Sequence, residues 1–156
     1  MGGDEVLKYL GTDELGTDVR VYVLKFRDEV LKRLGSNVRS IVVFGSRARG
    51  CWKPWSDIDI LIVLKSAPKG LERFKLMPHT PMVQPWIYTE DEFYTALKNF
   101  DIAVLDALEH GIVVYDNGFW IEAKKYFQEF KKEWELVEVN EGWISKKLER
   151  RGKAMS

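Results

Sequence analysis

Apolar residues recur along this chain in two rhythms, short unbroken runs and three- or four-residue spacings, and their alternation predicts a mixed α/β protein. Val19, Val23, Phe26, Val30 and Leu34 keep helical spacing ahead of Gly35, which predicts a helix over 18–34. Ile41 to Phe44 reads as a buried strand, with a helix starting at Ser46 and a second strand over Ile58 to Leu64. After a loop at Ala67 to Gly70, Leu71 to Met77 forms a short helix or turn before Pro78, and Pro81 to Tyr88 is a third strand. Thr89 and Glu92 have the spacing of a capping box opening a helix at Glu90, and Ile102 to Glu109 is helical up to Gly111. Ile112 to Tyr115 makes a short strand, closed by the turn Asp116, Asn117, Gly118. From Phe119, one stripe carries Trp120, Ala123, Phe127, Phe130 and Trp134, which predicts a long helix packed on a core.

The ends are less patterned. The first residues are glycine-rich, either poorly ordered or helical over Glu5 to Leu10. Beyond Trp134, Leu136 to Val139 alternates as an extended segment, and Trp143, Ile144 and Leu148 fit an amphipathic helical stretch that packs back or meets a second subunit. The expected organisation is an N-terminal segment over 1–17, a domain over 18–134 and a C-terminal extension over 135–156.

Composition narrows the class. A chain of 156 residues supports one real core, and 24 basic against 24 acidic residues give no global field for a nucleic acid or membrane. The basic stretch from Lys146 to Lys153 reads as a solvated terminal face, favoured over the alternative of a nucleic-acid arm. Cys51 stands alone, and neither a signal peptide nor a membrane-spanning run is visible, so a cytoplasmic protein is expected. His79 and His110 lack partners at zinc-ligand spacing.

The candidate chemistry lies in FGSRARGCWKPWSDIDILI, residues 44–62. Gly45 permits a sharp turn and close approach of backbone to a ligand, and a following helix start would present N–H groups to a phosphate, with Ser46 capping or donating. Arg47 and Arg49 lie nearby. Asp57 and Asp59 are two residues apart at a strand start, so both carboxylates face one side and can share a Mg²⁺ that holds the phosphates of a nucleoside triphosphate. Trp52 and Trp55 flank the loop between the two halves, available for stacking or for packing the loop down.

Gly45, Ser46, Asp57 and Asp59 reproduce the GS, ten residues, DxD signature of the DNA polymerase beta-like nucleotidyltransferase superfamily, and GSRARG with SDID resembles its minimal nucleotidyltransferases. The resemblance covers about residues 20–120 and implies a small mixed sheet flanked by helices, followed here by a C-terminal helical extension. It further implies transfer of a nucleoside monophosphate, in the first instance AMP from ATP with Mg²⁺, to an acceptor hydroxyl. Gly45, Ser46, Arg47, Arg49 and Ser56 would bind the nucleotide, with Arg47 or Arg49 offsetting phosphate charge, and Asp57 and Asp59 would hold metal. Minimal nucleotidyltransferases pair with HEPN-domain proteins, some as antitoxins that modify a tyrosine of that partner.

The third carboxylate of that family falls here on Gln84, counted back from Tyr88 and Thr89. An amide can ligate a cation but carries no charge and takes no proton at neutral pH. Glu72, Glu90, Asp91 or Asp101 would have to substitute, although each also fits a surface or helix-start role. Trp86 shares the strand face of Gln84. A second expectation therefore stands beside the enzyme: a nucleotide-binding or partner-binding protein that kept the scaffold after losing chemistry.

Overall fold

The structure, a computed structural model, describes residues 7–140 and 142–155. Contacts divide the chain into two compact units, residues 1–120 and 121–156. In chain order the elements are α1 (Arg20–Leu34), β1 (Val38–Phe44), α2 (Gly45–Arg49), β2 (Ile58–Leu64), β3 (Val83–Thr89), α3 (Glu90–Lys98), α4 (Ile102–His110), β4 (Ile112–Asp116), α5 (Phe119–Trp134), β5 (Leu136–Val139), β6 (Gly142–Ser145) and α6 (Lys146–Met155). Short 3-10 turns occupy Leu7–Leu10, Gly35–Asn37 and Gly70–Leu76.

A four-stranded mixed sheet ordered β3-β2-β1-β4 builds the first unit. Strand β1 runs antiparallel to both β2 and β4, and β3 lies parallel to β2 at the edge. An edge is where Pro85 is tolerated, because its missing N–H leaves no inner ladder broken. Both central strands are buried along almost their whole length, so each is apolar on both faces rather than alternating. On one face Ile41, Val43, Ile58, Ile60 and Ile62 join Val23, Phe26 and Val30 of α1 in a single core. A register shift between Val38 and Ser40 turns Val38 into that same core. The opposite face carries Val42, Leu61 and Val63, and α4 brings Val104, Leu105 and Leu108 to the buried set. Each fully buried aliphatic side chain contributes roughly 1.5–3 kcal/mol relative to exposure.

Several expectations shift. Residues 5 and 6 of the N-terminal helical stretch lie outside the described residues, while Leu7 and Leu10 are wholly buried in the α1-side core. The third strand starts at Val83 rather than Pro81, because Met82 adopts a left-handed backbone at φ 67° and breaks the extended run. The capping box forms as expected, with Glu92 N–H donating to Thr89 and Thr89 N–H to Glu92.

In the second unit the expected amphipathic helix at Trp143 and Ile144 is instead β6, paired antiparallel with β5 as Glu138 to Trp143 and Val137 to Ile144. Trp143 then meets Phe127 edge-on with ring centroids 6.1 Å apart, a contact that favours the hairpin over a helix. Ser145 accepts from Leu148 N–H and starts α6, where Lys147 and Arg151 both lie over the Trp134 ring. Among the described residues no helix is long and apolar enough to cross a membrane.

Candidate active site

The β1 to β2 pairing creates the site. Phe44, the last residue of β1, is the register partner of Asp59, so the glycine turn that follows β1 and the carboxylates that open β2 meet at one sheet end. Gly45 has φ 79°, and a Cβ there would stand 2.3 Å from Asp59 Oδ2. Both the backbone conformation and the space therefore demand glycine. Helix α2 is only five residues long and lacks a side-chain cap, so Ser46 lies inside the turn rather than capping it, and the dipole it offers is small.

Asp59 collects the charge of this region. Burial pushes its carboxyl above the ordinary range, and the nearby Asp57 and Asp106 carboxylates push the same way, against a hydrogen bond from Trp86 and the positive Arg49. Trp86 Nε1 donates to Asp59 Oδ1 at 3.1 Å, and its ring meets Phe44 edge-on at 5.6 Å between centroids. An all-oxygen donor set with excess negative charge fits a hard cation such as Mg²⁺, and Asp57 and Asp59 are the residues that would hold it.

Asp106 escaped the sequence analysis. It sits in the middle of α4 among Val104, Leu105, Ala107 and Leu108, itself 7% exposed. Its Oδ2 accepts both from Gly45 N–H at 2.9 Å and from Arg49 Nη1 at 2.8 Å. A lone acid inside an apolar helix was the available signal, since a buried carboxylate requires donors.

The two arginines separate. Arg49 is 36% exposed beside Asp106 and remains at the site. Arg47 does not face it: at 1% exposure it donates to the carbonyls of Leu10, Thr12, Lys53, Pro54 and Ser56, with Trp52 over its guanidinium at 5.0 Å. Arg47, expected beside the phosphates, is thus placed in the packing of the loop, every N–H direction of its fork engaged in tying that loop down. Trp52 belongs to that packing as well, lying so close to Gly11 that a Cβ there would sit 2.1 Å from its ring. Ser56 closes the same loop, its hydroxyl accepting from Lys53 N–H at 2.9 Å.

Gln84 is the in-register neighbour of Asp59 across the parallel pair, with Trp86 on the same strand face. Glu72 pairs with Lys75, Glu90 with Arg39, and Asp101 caps α4 through Val104 N–H. Asp91 is exposed in the first turn of α3. Glu72, Glu90 and Asp101 thus have partners in other parts of the fold.

A mixed sheet with a glycine turn beside a DxD strand start defines a nucleotidyltransferase. The chain belongs to the nucleotidyltransferase domain family, whose profile, described as "Nucleotidyltransferase domain", matches residues 23–149. Among curated relatives it is 25% identical over 140 residues to "Putative protein adenylyltransferase MJ1305" of Methanocaldococcus jannaschii, covering 74% of this chain and 92% of that protein. "Putative protein adenylyltransferase MJ0141" of the same organism is 25% identical over 93 residues, 53% of this chain and 94% of that protein. A chain of a toxin-antitoxin crystal structure with AMP-PNP superposes with TM-score 0.48 at 14% identity, covering 85% of this chain and 98% of that one. A nucleotidyltransferase structure from Sulfolobus solfataricus, itself described as putative, gives TM-score 0.41 at 23% identity over 62% of this chain and 83% of that one.

Proposed function

We propose that this protein transfers AMP from ATP to a hydroxyl of a protein acceptor. The observation that carries the reading is the meeting of Asp57 and Asp59 with the Gly45 turn at one sheet end, fixed by the Phe44 to Asp59 register. The two named relatives, both called protein adenylyltransferases, support a protein as acceptor. Asp57 and Asp59 would hold Mg²⁺, which when bound draws charge from the phosphate oxygens. Ser46 and the turn would hold the triphosphate, while Arg49 leaves Asp106 to meet charge developing on the transferred group. Ser56 acts at one remove by closing the loop that Arg47 fixes. The resemblance of GSRARG and SDID to minimal nucleotidyltransferases makes a cytoplasmic HEPN-domain protein the preferred partner and one of its tyrosines the preferred hydroxyl. Homo-oligomerisation is a further proposal.

A second reading, a protein that binds nucleotide or partner without chemistry, is favoured by Gln84 standing where Asp59 has its strand neighbour. Incubating the protein with a HEPN-domain partner, Mg²⁺ and ATP labelled at the α-phosphorus separates them. The transfer reading expects label on the partner and matching pyrophosphate release, both lost in Asp57→Ala. Tight partner binding without any label would decide for the second reading.

A further inference from the structure

We infer that the cleft beside Asp57 is the acceptor subsite, and that it selects a polypeptide segment presenting a tyrosine flanked by lysine or arginine. The inference rests on the transfer reading above. The cleft encloses 230 Å³, with apolar walls from Leu15, Pro54, Trp55 and Met82 and carboxylates from Asp13, Glu14 and Asp57.

Its two apolar tips project into solvent yet are held firmly. Leu15 is 92% exposed and Trp55 68% exposed. Behind Leu15, Asp13 Oδ1 accepts from the Leu15 and Thr17 N–H groups at 3.0 and 2.8 Å, and its Oδ2 accepts from the Tyr22 hydroxyl. These bonds hold the Asp13 carboxyl below its ordinary range and keep it charged. Behind Trp55, the buried Arg47 grips the Lys53, Pro54 and Ser56 carbonyls. Large apolar groups on ordered loops lose little further chain entropy when a ligand covers them.

Among the described residues the cleft is lined by three carboxylates and by no lysine or arginine, whereas the Gly45 side holds Arg49 against Asp106 next to the Asp57 and Asp59 pair that would take Mg²⁺. A triphosphate is repelled from the cleft, and a cationic segment is drawn into it. The volume is below the roughly 300–1,000 Å³ usual for small-molecule sites, so it suits one side chain better than a whole nucleotide. Four apolar walls, one an indole, favour a phenol ring over a serine or threonine. In the step itself the phenolic oxygen bonds to the α-phosphorus, the bond to pyrophosphate breaks and pyrophosphate leaves with its electrons. The phenolic proton passes to solvent water, Gln84 being unable to take it.

The test uses the full chain and three synthetic peptides: a tyrosine flanked by lysines, the same tyrosine flanked by glutamates, and a serine flanked by lysines. Binding is read by titration calorimetry without nucleotide, and transfer by label from α-labelled ATP with Mg²⁺. The lysine-flanked tyrosine should bind and accept label at least tenfold better than either other peptide. Glu14→Lys combined with Leu15→Ser, both at exposed positions, should erase that preference while ATP affinity stays within twofold. Equal use of the three peptides, a preference that survives the double variant, or loss of ATP binding in it would each overturn the cleft assignment. Selective binding with no label on any acceptor would instead overturn the transfer reading, and with it the acceptor role.

Discussion

Asp59 sits where its own charge is disfavoured, and that strain is the residue-scale signature of the site. A carboxyl whose folded pKa is raised binds its proton more tightly when folded, so it weakens the fold where both states are ionised. That penalty fades as pH falls through the folded value. Asp59→Asn keeps an oxygen for Trp86 Nε1 and removes the charge. Without metal, its melting temperature should exceed that of the wild type at pH 7, and the gap should shrink as pH is lowered toward the ordinary carboxylate range. Adding Mg²⁺ should raise the wild type alone and close or invert the gap, with transfer absent in the variant throughout. A lower melting temperature for Asp59→Asn at pH 7 would mean that the negative cluster is already compensated. Gly45→Ala tests the same contact from the other side: a Cβ 2.3 Å from Asp59 Oδ2 forces movement at the site. It should lower stability by about 1–3 kcal/mol from the left-handed backbone alone and abolish transfer, read by denaturant melts and label incorporation. Gln84→Asp supplies the missing charge next to Asp59, and calorimetry should find tighter Mg²⁺ binding together with faster transfer. No gain in either would show that Gln84 does not occupy the third-ligand position.

At the scale of elements, α2 places two arginines two residues apart with opposite duties. Arg47→Met leaves the buried Leu10 carbonyl, worth about 1–3 kcal/mol, and several part-buried carbonyls without their donor, so equilibrium unfolding should show a large loss of stability. Arg49→Ala leaves the buried Asp106 carboxylate with the Gly45 N–H as its remaining donor, a loss of about 1–3 kcal/mol that is smaller than that of Arg47→Met, while transfer collapses. The reverse outcome, a fragile Arg49→Ala and an active, stable Arg47→Met, would exchange their roles. This division could not be read from GSRARG, because which arginine turns inward depends on Leu10 and Thr12, far away in sequence. Much else was legible. Strand β2 begins and ends where its apolar run does, and the Thr89 and Glu92 spacing announced its capping box, since local hydrogen bonds and buried runs leave local marks. Asp106 left only the mark of a lone acid in an apolar helix, which does not name its partners, as Gly45 and Arg49 come from another element. The hairpin of β5 and β6 was hidden for a similar reason: Trp143 and Ile144 fit either a helix stripe or a strand until the pairing with Leu136–Val139 settles the choice.

For the whole molecule, the question is where the domain ends. The family profile runs to residue 149 and so enters both compact units. Helix α5 crosses their division, and its first residues belong to the core of the first unit: Phe119 and Trp120 are 4% and 3% exposed, with ring centroids 5.3 and 5.5 Å from Phe93. Truncating a buried Phe or Trp to Ala typically costs about 3–5 kcal/mol, and a whole domain is stable by only about 5–15 kcal/mol. A chain ending at Gly118 loses both rings and should show no cooperative melt and no near-ultraviolet circular dichroism. A chain ending at Trp134 keeps them and loses the Trp143 contact to Phe127, so it should melt cooperatively at a reduced temperature. If both truncations are equally unfolded, the hairpin and α6 are part of what holds the domain together, and a domain boundary near residue 134 is wrong. If both melt like the full chain, the Phe93 cluster stabilises far less than its burial implies.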